Sequence, residues 1–373
     1  MNILVIPTTD WIRHPVPNRL NFIFDTLAEK HDVYVLHFSL KKFKDNDARY
    51  TKCKLIDANM VDVDDPSLYY VLNSPKHILK IIRVVHEKKI DIIVSTNILP
   101  SFVANFARVP LVFDYLDHLE ESAAIYYPES LFGKLVKIIV RQIVRYNIKH
   151  ADYVITVTDE LKSLLRKMGA NNIAVIPNGV DTNILKPMPK EKAKKMIGLD
   201  GKVIGYVGSL EHWVDLETVV EALPYLDVKL IVIGPRLFTD YGDKIKDLAK
   251  YLDVVDKITF IGAVPYSQLS TYISAMDVGL NPLKKMKKNE MAVGGKVFNY
   301  LSCGVPVLSS RMTSLVNLLG DNLYYYDDKE NFIKCVENLL SLQQNEAKYR
   351  DIAETFDWEI IAKTYETVLR RVA

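Results

Sequence analysis

GGKVFNYLSCGVPVLSS, residues 294–310, is the stretch on which the reading of the fold turns. Two glycines open a helix, Gly304 closes it, and VPVLS follows as a strand. A helix handed straight to a short strand that is apolar on both faces belongs to a parallel sheet covered by helices on both sides. Backbone N–H groups at the start of such a helix, with the Lys296 ammonium one turn in, suit a diphosphate. One turn further on, Asn299 falls where it can hydrogen-bond the hydroxyls of a ribose.

Working outward, the same alternation fills the chain. KVIGYVG (202–208), KLIVIGP (229–235), KITFIG (257–262), VGLNPL (278–283) and NLYYYD (322–327) complete a second set of strands around VPVLSS (305–310). An earlier set reads NILVIP (2–7), DVYVLHF (32–38), DIIVSTN (91–97), PLVFDYL (110–116), YVITVT (153–158) and IAVIPN (173–178). The expected architecture is α/β, two Rossmann-like doubly wound parallel-sheet domains facing a central cleft. The proline- and lysine-bearing stretch at 181–200 carries no strand and separates them. The expected division is 1–182, 183–355, and a C-terminal helix, 356–373, that returns to the first domain.

Glycine placement divides the work. Only Gly133 precedes Gly169, and the other 14 of the 15 glycines lie at or after it. Backbone approaches a phosphate closely only where side chains are absent, so phosphate chemistry belongs to the second domain. The first strand runs into TTDWIRHP and not GxGxxG, which argues against an N-terminal dinucleotide site.

Composition excludes several classes. With 373 residues, 49% hydrophobic, 25% charged and a formal charge of +2, the chain has neither the profile of a disordered tail nor that of a nucleic-acid binder. Cys53, Cys303 and Cys335 are isolated and match no zinc or redox spacing. MNILVIPTTD reads as a buried strand and not as a signal peptide, and no segment reaches the roughly 20 apolar residues that span a bilayer. A cytoplasmic protein is expected, at the inner face of the membrane if one helix lies on lipid. That helix is 133–149, where Lys134, Lys137, Arg141 and Arg145 recur opposite an apolar face.

KVFNYLSCGVPVLSS resembles the K-x-F-E-Y-L-A-x-G-x-P-V-V motif of retaining glycosyltransferase family four, whose fold is GT-B. ADYVITVTDELKSLLRKMGANNIAVIPNGVDTNIL (151–185) is similar to that family's stretch ending I-P-N-G-V-D. IGYVGSLEHWVDLETVVEAL and VFDYLDHLEE resemble a branch that makes teichuronic acid and related polysaccharides. The resemblance implies a hexosyltransferase that takes a sugar from a UDP- or GDP-sugar and passes it to a glycan or lipid-linked acceptor, with no metal or other cofactor. It implies donor contacts at Gly205, Gly208, Ser209, Ala263, Val264, Gly294, Gly295, Lys296 and Asn299.

The chain also departs from the family. A glutamate is common where Asn299 stands, and an amide accepts without the charge-assisted component. The family's second glutamate falls in register on Met291, beside Glu290, the candidate for the donor-sugar hydroxyls. Glu211, His212 and Trp213 occupy the place of the family's phosphate-binding Arg and Lys. Lys284, Lys285, Lys287 and Lys288 are then the available cations.

In the first domain VFDYLDHLEES (112–122) crowds carboxylates at a strand end. Asp117, then Asp114, are the candidate catalytic groups of this domain, with Glu290 of the second domain as the third. Trp11, Arg13 and Arg19 form the candidate acceptor loop, with His118 as a further acceptor contact. DVDD (62–65) lacks the context of a metal-binding DxD. Retention follows from the resemblance, and inversion with Asp117 as base is the alternative. Two further readings stay open: a nucleotide-sugar 2-epimerase, or a non-catalytic nucleotide-sugar-binding subunit.

Overall fold

The computed structural model describes residues 1–117, 119, 131–235 and 239–373. Contacts divide the chain into two compact units, Met1–Pro177 with Glu359–Ala373, and Asn178–Trp358. The first contains β1 (Asn2–Ile6), β2 (Asp32–His37), β3 (Lys54–Asp57), β4 (Ile92–Ser95), β5 (Leu111–Tyr115), β6 (Tyr153–Thr156) and β7 (Ile173–Val175). They pair in parallel in the order β3-β2-β1-β4-β5-β6-β7. The second contains β8 (Val203–Val207), β9 (Lys229–Ile233), β10 (Ile258–Gly262), β11 (Val278–Asn281), β12 (Val307–Ser310) and β13 (Tyr324–Tyr326), in the order β10-β9-β8-β11-β12-β13. Both sheets are doubly wound, as the alternating pattern predicts.

The strand runs read from sequence all form. β3 was not among them, because KLID is an edge strand whose residues are exposed or half-buried, leaving no apolar run to see. Central strands β4, β5, β8 and β11 are buried at every position, as strands covered on both faces must be.

In each sheet the strand order reverses once among neighbours of the first strand, at β1/β4 and at β8/β11. Crevices at the carboxyl ends of such switch points are where open α/β sheets bind ligands. The sequence builds the second one with care. Gly279 in β11 leaves room for the Tyr300 ring, which a Cβ would approach to 2.5 Å. The Tyr300 hydroxyl accepts from the Val207 N–H of β8 at 2.7 Å and donates to the Leu280 carbonyl of β11 at 3.0 Å. The helix Lys296–Ser302 is thereby pinned across the two strands.

Candidate functional site

Lys296 is the first residue of that helix, one turn before Tyr300 and on the same side. Its Nζ lies 4.4 Å from the centre of the Tyr206 ring and donates to the Tyr206 hydroxyl at 3.3 Å. Tyr206, on β8, is buried and donates in turn to the Ser209 carbonyl at 2.8 Å. Desolvation pushes the Lys296 ammonium down to about 7. Among the described residues no carboxylate forms an ion pair with it. A desolvated cation without a counter-charge is unfavourable unless something anionic completes the site.

The turn facing Lys296 is shaped by glycine. Gly208 has φ +153°, and a Cβ there would stand 3.2 Å from the Lys296 Nζ and 2.7 Å from the Tyr206 hydroxyl. Its N–H bonds the Ile233 carbonyl at 2.9 Å, and the Gly234 N–H bonds the Gly262 carbonyl at 2.8 Å, lacing together the ends of β8, β9 and β10. Gly234, at φ +145°, would drive any Cβ into the Gly208 carbonyl. Gly294 opens onto free space, and a Cβ on Gly295 would come only to 3.8 Å from the Gly179 carbonyl. The Asn178 amide donates to the Val293 carbonyl at 2.9 Å. The two motifs, IPNG and GGK, are therefore joined in space, the first supporting the loop of the second.

Tyr206, Gly234, Asn178 and Tyr300 were not singled out in the sequence. The signals were there for two of them, since Asn178 sits in IPNGVD and Gly234 ends KLIVIGP.

Other candidates of this unit lie as follows. Gly205 is in the middle of β8, and its open side is filled by the Met276 side chain, so it serves packing inside the sheet and not donor approach. Ala263 and Val264 directly follow β10, the first exposed and the second half-buried against the core. Asn299 is half-buried, with no hydrogen bond from its amide among the described residues. Glu290 accepts through Oε2 from the Thr313 N–H at 2.8 Å and hydroxyl at 2.7 Å, holding the start of the helix Thr313–Leu319.

The lysine loop is largely engaged. Lys284 pairs with Glu217 at 2.7 Å, Lys285 lies 3.8 Å from Asp327, and Lys288 sits 4.2 Å over Trp213. Glu211 is fully buried and accepts from the Thr239 hydroxyl at 2.9 Å. The cation that meets the glycine turn is therefore Lys296.

In the first unit the candidates separate. Asp114 is fully buried on β5, with Arg19 Nε at 3.5 Å and the Tyr365 hydroxyl donating at 3.0 Å. Burial raises its carboxyl above the usual range, against Arg19 and Tyr365, which lower it. With no exposed surface, and with its Oδ1 lacking a hydrogen-bond partner among the described residues, the group is sealed inside the first unit, which corrects its candidacy as a catalytic base. Arg19 is likewise buried, donates to the Ile176 carbonyl at 2.9 Å, and lies 6.0 Å from the Tyr365 ring, so it is not an acceptor contact. Trp11 has no exposed surface, and its indole N–H donates to the Thr51 hydroxyl at 3.0 Å, so it is a core residue.

Asp10 folds the Trp11 loop by accepting from the N–H groups of Ile12 at 3.1 Å and Arg13 at 2.8 Å. Arg13 and Asp117 stay half-buried and retain access. His118 lies outside the described residues. In DVDD, Asp64 pairs with Lys41 at 3.3 Å and Asp65 accepts from the Leu68 N–H at 3.0 Å, which caps the helix Pro66–Glu87. Among the described residues no three His, Cys, Asp or Glu side chains are grouped to hold a metal ion.

Two tandem doubly wound sheets with a lysine-bearing, glycine-opened helix at the second switch point define a GT-B protein. The family model Glycosyltransferase Family 4 matches residues 24–184, and Glycosyl transferases group 1 matches residues 187–356, so the chain belongs to the GT-B glycosyltransferase family. It is 24% identical over 226 residues to TuaH of Bacillus subtilis (strain 168), provisionally named a teichuronic acid biosynthesis glycosyltransferase; the match covers 57% of this chain and 55% of TuaH. The chain thus spans about half the length of that curated relative. Among solved structures it resembles sucrose-phosphate synthase from Thermosynechococcus elongatus, with TM-score 0.79 and 17% identity, covering 100% of this chain and 99% of that one. Anabaena HepE in complex with UDP-glucose is also similar, with TM-score 0.74 and 18% identity, covering 100% of each chain. At these identities the structural likeness speaks to the fold.

Proposed function

We propose that the protein transfers a sugar from a UDP- or GDP-sugar to a glycan or lipid-linked acceptor in polysaccharide or glycoconjugate biosynthesis. The observation that carries this reading is the desolvated Lys296 ammonium, set against the Gly208 turn and lacking a carboxylate partner among the described residues. A diphosphate supplies the missing charge, and donor N–H groups at Gly294 and Gly295 suit its oxygens. Asn299 is assigned to the ribose and the Ala263–Val264 turn to the base. Family membership and the UDP-glucose held by HepE support a nucleotide-sugar donor.

The acceptor is assigned to the first unit, with Arg13 as its contact and Asp117 as the candidate catalytic group of that unit. Glu290, steadied by Thr313, is placed at the donor sugar. Retention is the favoured outcome, through family likeness. The diphosphate charge is met by Lys296 and helix N–H groups, so the reaction proceeds without a metal or other cofactor. The protein works in the cytoplasm, in peripheral contact with the membrane through the helix Leu131–His150. No described helix is long and apolar enough to cross a membrane.

The test is a thermal-shift panel of UDP, GDP, ADP and their sugar conjugates on wild type and Lys296→Ala. Stabilisation by one nucleotide class, lost in the variant, is expected. No shift with any nucleotide sinks the donor assignment. Tight nucleotide binding with no transfer to any acceptor moves the reading to a binding subunit.

A further inference from the structure

Three helices lie side by side on one face of the first unit. Ile98–Ala104 packs against both Pro66–Glu87 and Leu131–His150. Their outward surfaces are apolar to a degree that packing does not require. On Pro66–Glu87 the side chains of Leu68, Val71, Leu72, Ile78, Leu79 and Ile82 are 39–67% exposed. Their spacing of three and four puts them on one stripe, away from the buried Tyr69, Asn73, His77, Ile81 and Val84. On Leu131–His150 a second stripe is formed by Leu135, Ile138 and Ile139, each at least 50% exposed. The cations expected opposite the apolar face in fact flank this stripe, and the inward face is formed by Val144, Asn147 and Ile148. Just after Ile98–Ala104, Phe106 is exposed and meets Phe102 at 5.5 Å and Tyr146 at 6.2 Å, so the apolar surface of Leu131–His150 extends onto the segment that follows the middle helix.

Charge on this face is one-sided. On Pro66–Glu87, Lys76 pairs with Asp57 at 3.1 Å and Arg83 with Glu87 at 3.9 Å, so Lys80 is its surplus cation; the larger surplus is on Leu131–His150, which carries Lys134, Lys137, Arg141, Arg145 and Lys149 with no carboxylate. The whole chain is only +2. Such a face cannot suitably cover itself with a second copy, since a two-fold contact would set like charges together. An anionic surface is complementary to it, and a fluid one accepts two parallel apolar stripes while the long cationic side chains reach its headgroups.

The geometry points to a two-helix docking face for an anionic phospholipid bilayer, formed by Pro66–Glu87 and Leu131–His150 together on either side of Ile98–Ala104. It deepens the peripheral contact proposed above, extending it from one helix to two and naming the lipid charge.

The test is co-sedimentation of the full chain with vesicles of phosphatidylglycerol or of phosphatidylcholine. Binding to the first and not the second is expected, weakening with added salt. Leu79→Asp on one helix and Ile139→Asp on the other should each lower vesicle partitioning at least about tenfold, since a charge replaces buried apolar area. Arg141→Glu with Arg145→Glu, which leaves the apolar stripes intact, should lower it by a similar factor, as each surface cation contributes about fivefold. Equal binding to both lipids, or no binding to either, overturns the proposal. So does wild-type partitioning by Leu79→Asp, or light scattering that finds a dimer dissolved by Ile139→Asp. UDP binding is measured on every form: UDP bound without vesicle binding defeats this inference alone, and vesicle binding without UDP binding defeats the donor reading alone.

Discussion

Two desolvated charged groups stand in the two units, Asp114 fully buried and Lys296 half-buried, and the protein treats them in opposite ways. Asp114 is enclosed by Arg19 and by Tyr365, side chains brought from opposite ends of the first unit's sequence. Lys296, by contrast, rests on an aromatic ring and a hydroxyl, with no carboxylate beside it among the described residues. The first arrangement holds Asp114 through its Oδ2 alone, leaves Oδ1 buried without a hydrogen-bond partner among the described residues, and ties the final helix into its unit. The second leaves a charge to be satisfied from outside. Carboxylates clustered in sequence attract attention as catalytic candidates, yet a half-buried cation beside a glycine turn, with no carboxylate on it among the described residues, is the better sign of a ligand.

Breaking the enclosed pair should have the largest effect. Arg19→Met leaves Asp114 buried without its cation, and about 3–5 kcal/mol of stability in the first unit should be lost. Urea unfolding measures it, and UDP affinity at temperatures where the protein remains folded should be unchanged. A variant as stable as wild type would remove the structural reading of Asp114.

Lys296→Met should do the reverse. It removes a desolvated cation, so the ligand-free melting temperature should not fall, while UDP affinity drops by roughly 10- to 100-fold with the loss of charge-assisted bonds. Isothermal titration and a melting curve on the same sample separate the two effects.

The pH dependence sharpens the contrast. Lys296 is pushed from 10.5 to about 7 in the folded chain. Between these values the unfolded chain holds a proton that the folded chain has released. Stability from this group therefore rises with pH across that window, and the unfavourable contribution is fully present below it. In Lys296→Met this rise should vanish from the wild-type profile of stability against pH.

The smallest expected effect is that of Tyr206→Phe. It deletes the hydroxyl shared by Lys296 and the Ser209 carbonyl but keeps the ring, so about 1 kcal/mol in stability or UDP binding is expected. A loss as large as that of Lys296→Met would show that the hydroxyl, and not the ammonium, organises the site.

Much of this was legible in the sequence because buried parallel strands and glycine turns leave local marks. The runs KVIGYVG and KLIVIGP announce strands ending in glycine, and GGK announces a helix start. What was not legible depends on partners distant along the chain. Asp114 and Tyr365 are 251 residues apart, so nothing near VFDYLD reveals that its carboxylate is closed off. Trp11 sits in a polar loop, TTDWIRHP, but Asp10 turns the backbone and the buried indole donates to the half-buried Thr51. Gly205 carries the same letter as Gly208, and only the Met276 side chain filling its open side marks it as a packing glycine. The lysine loop looked available until Glu217 and Asp327 met two of its members.

The central claim is that the Lys296 amine, which gives up its proton readily in the ligand-free chain, becomes the cation that meets the donor's diphosphate. Calorimetric titration of UDP near pH 8, in two buffers of different ionisation enthalpy, tests it most directly. Binding should take up close to about one proton per UDP, because the diphosphate returns Lys296 to its charged form, and Lys296→Met should abolish that uptake. Equal affinity and equal proton uptake in wild type and Lys296→Met would contradict the account.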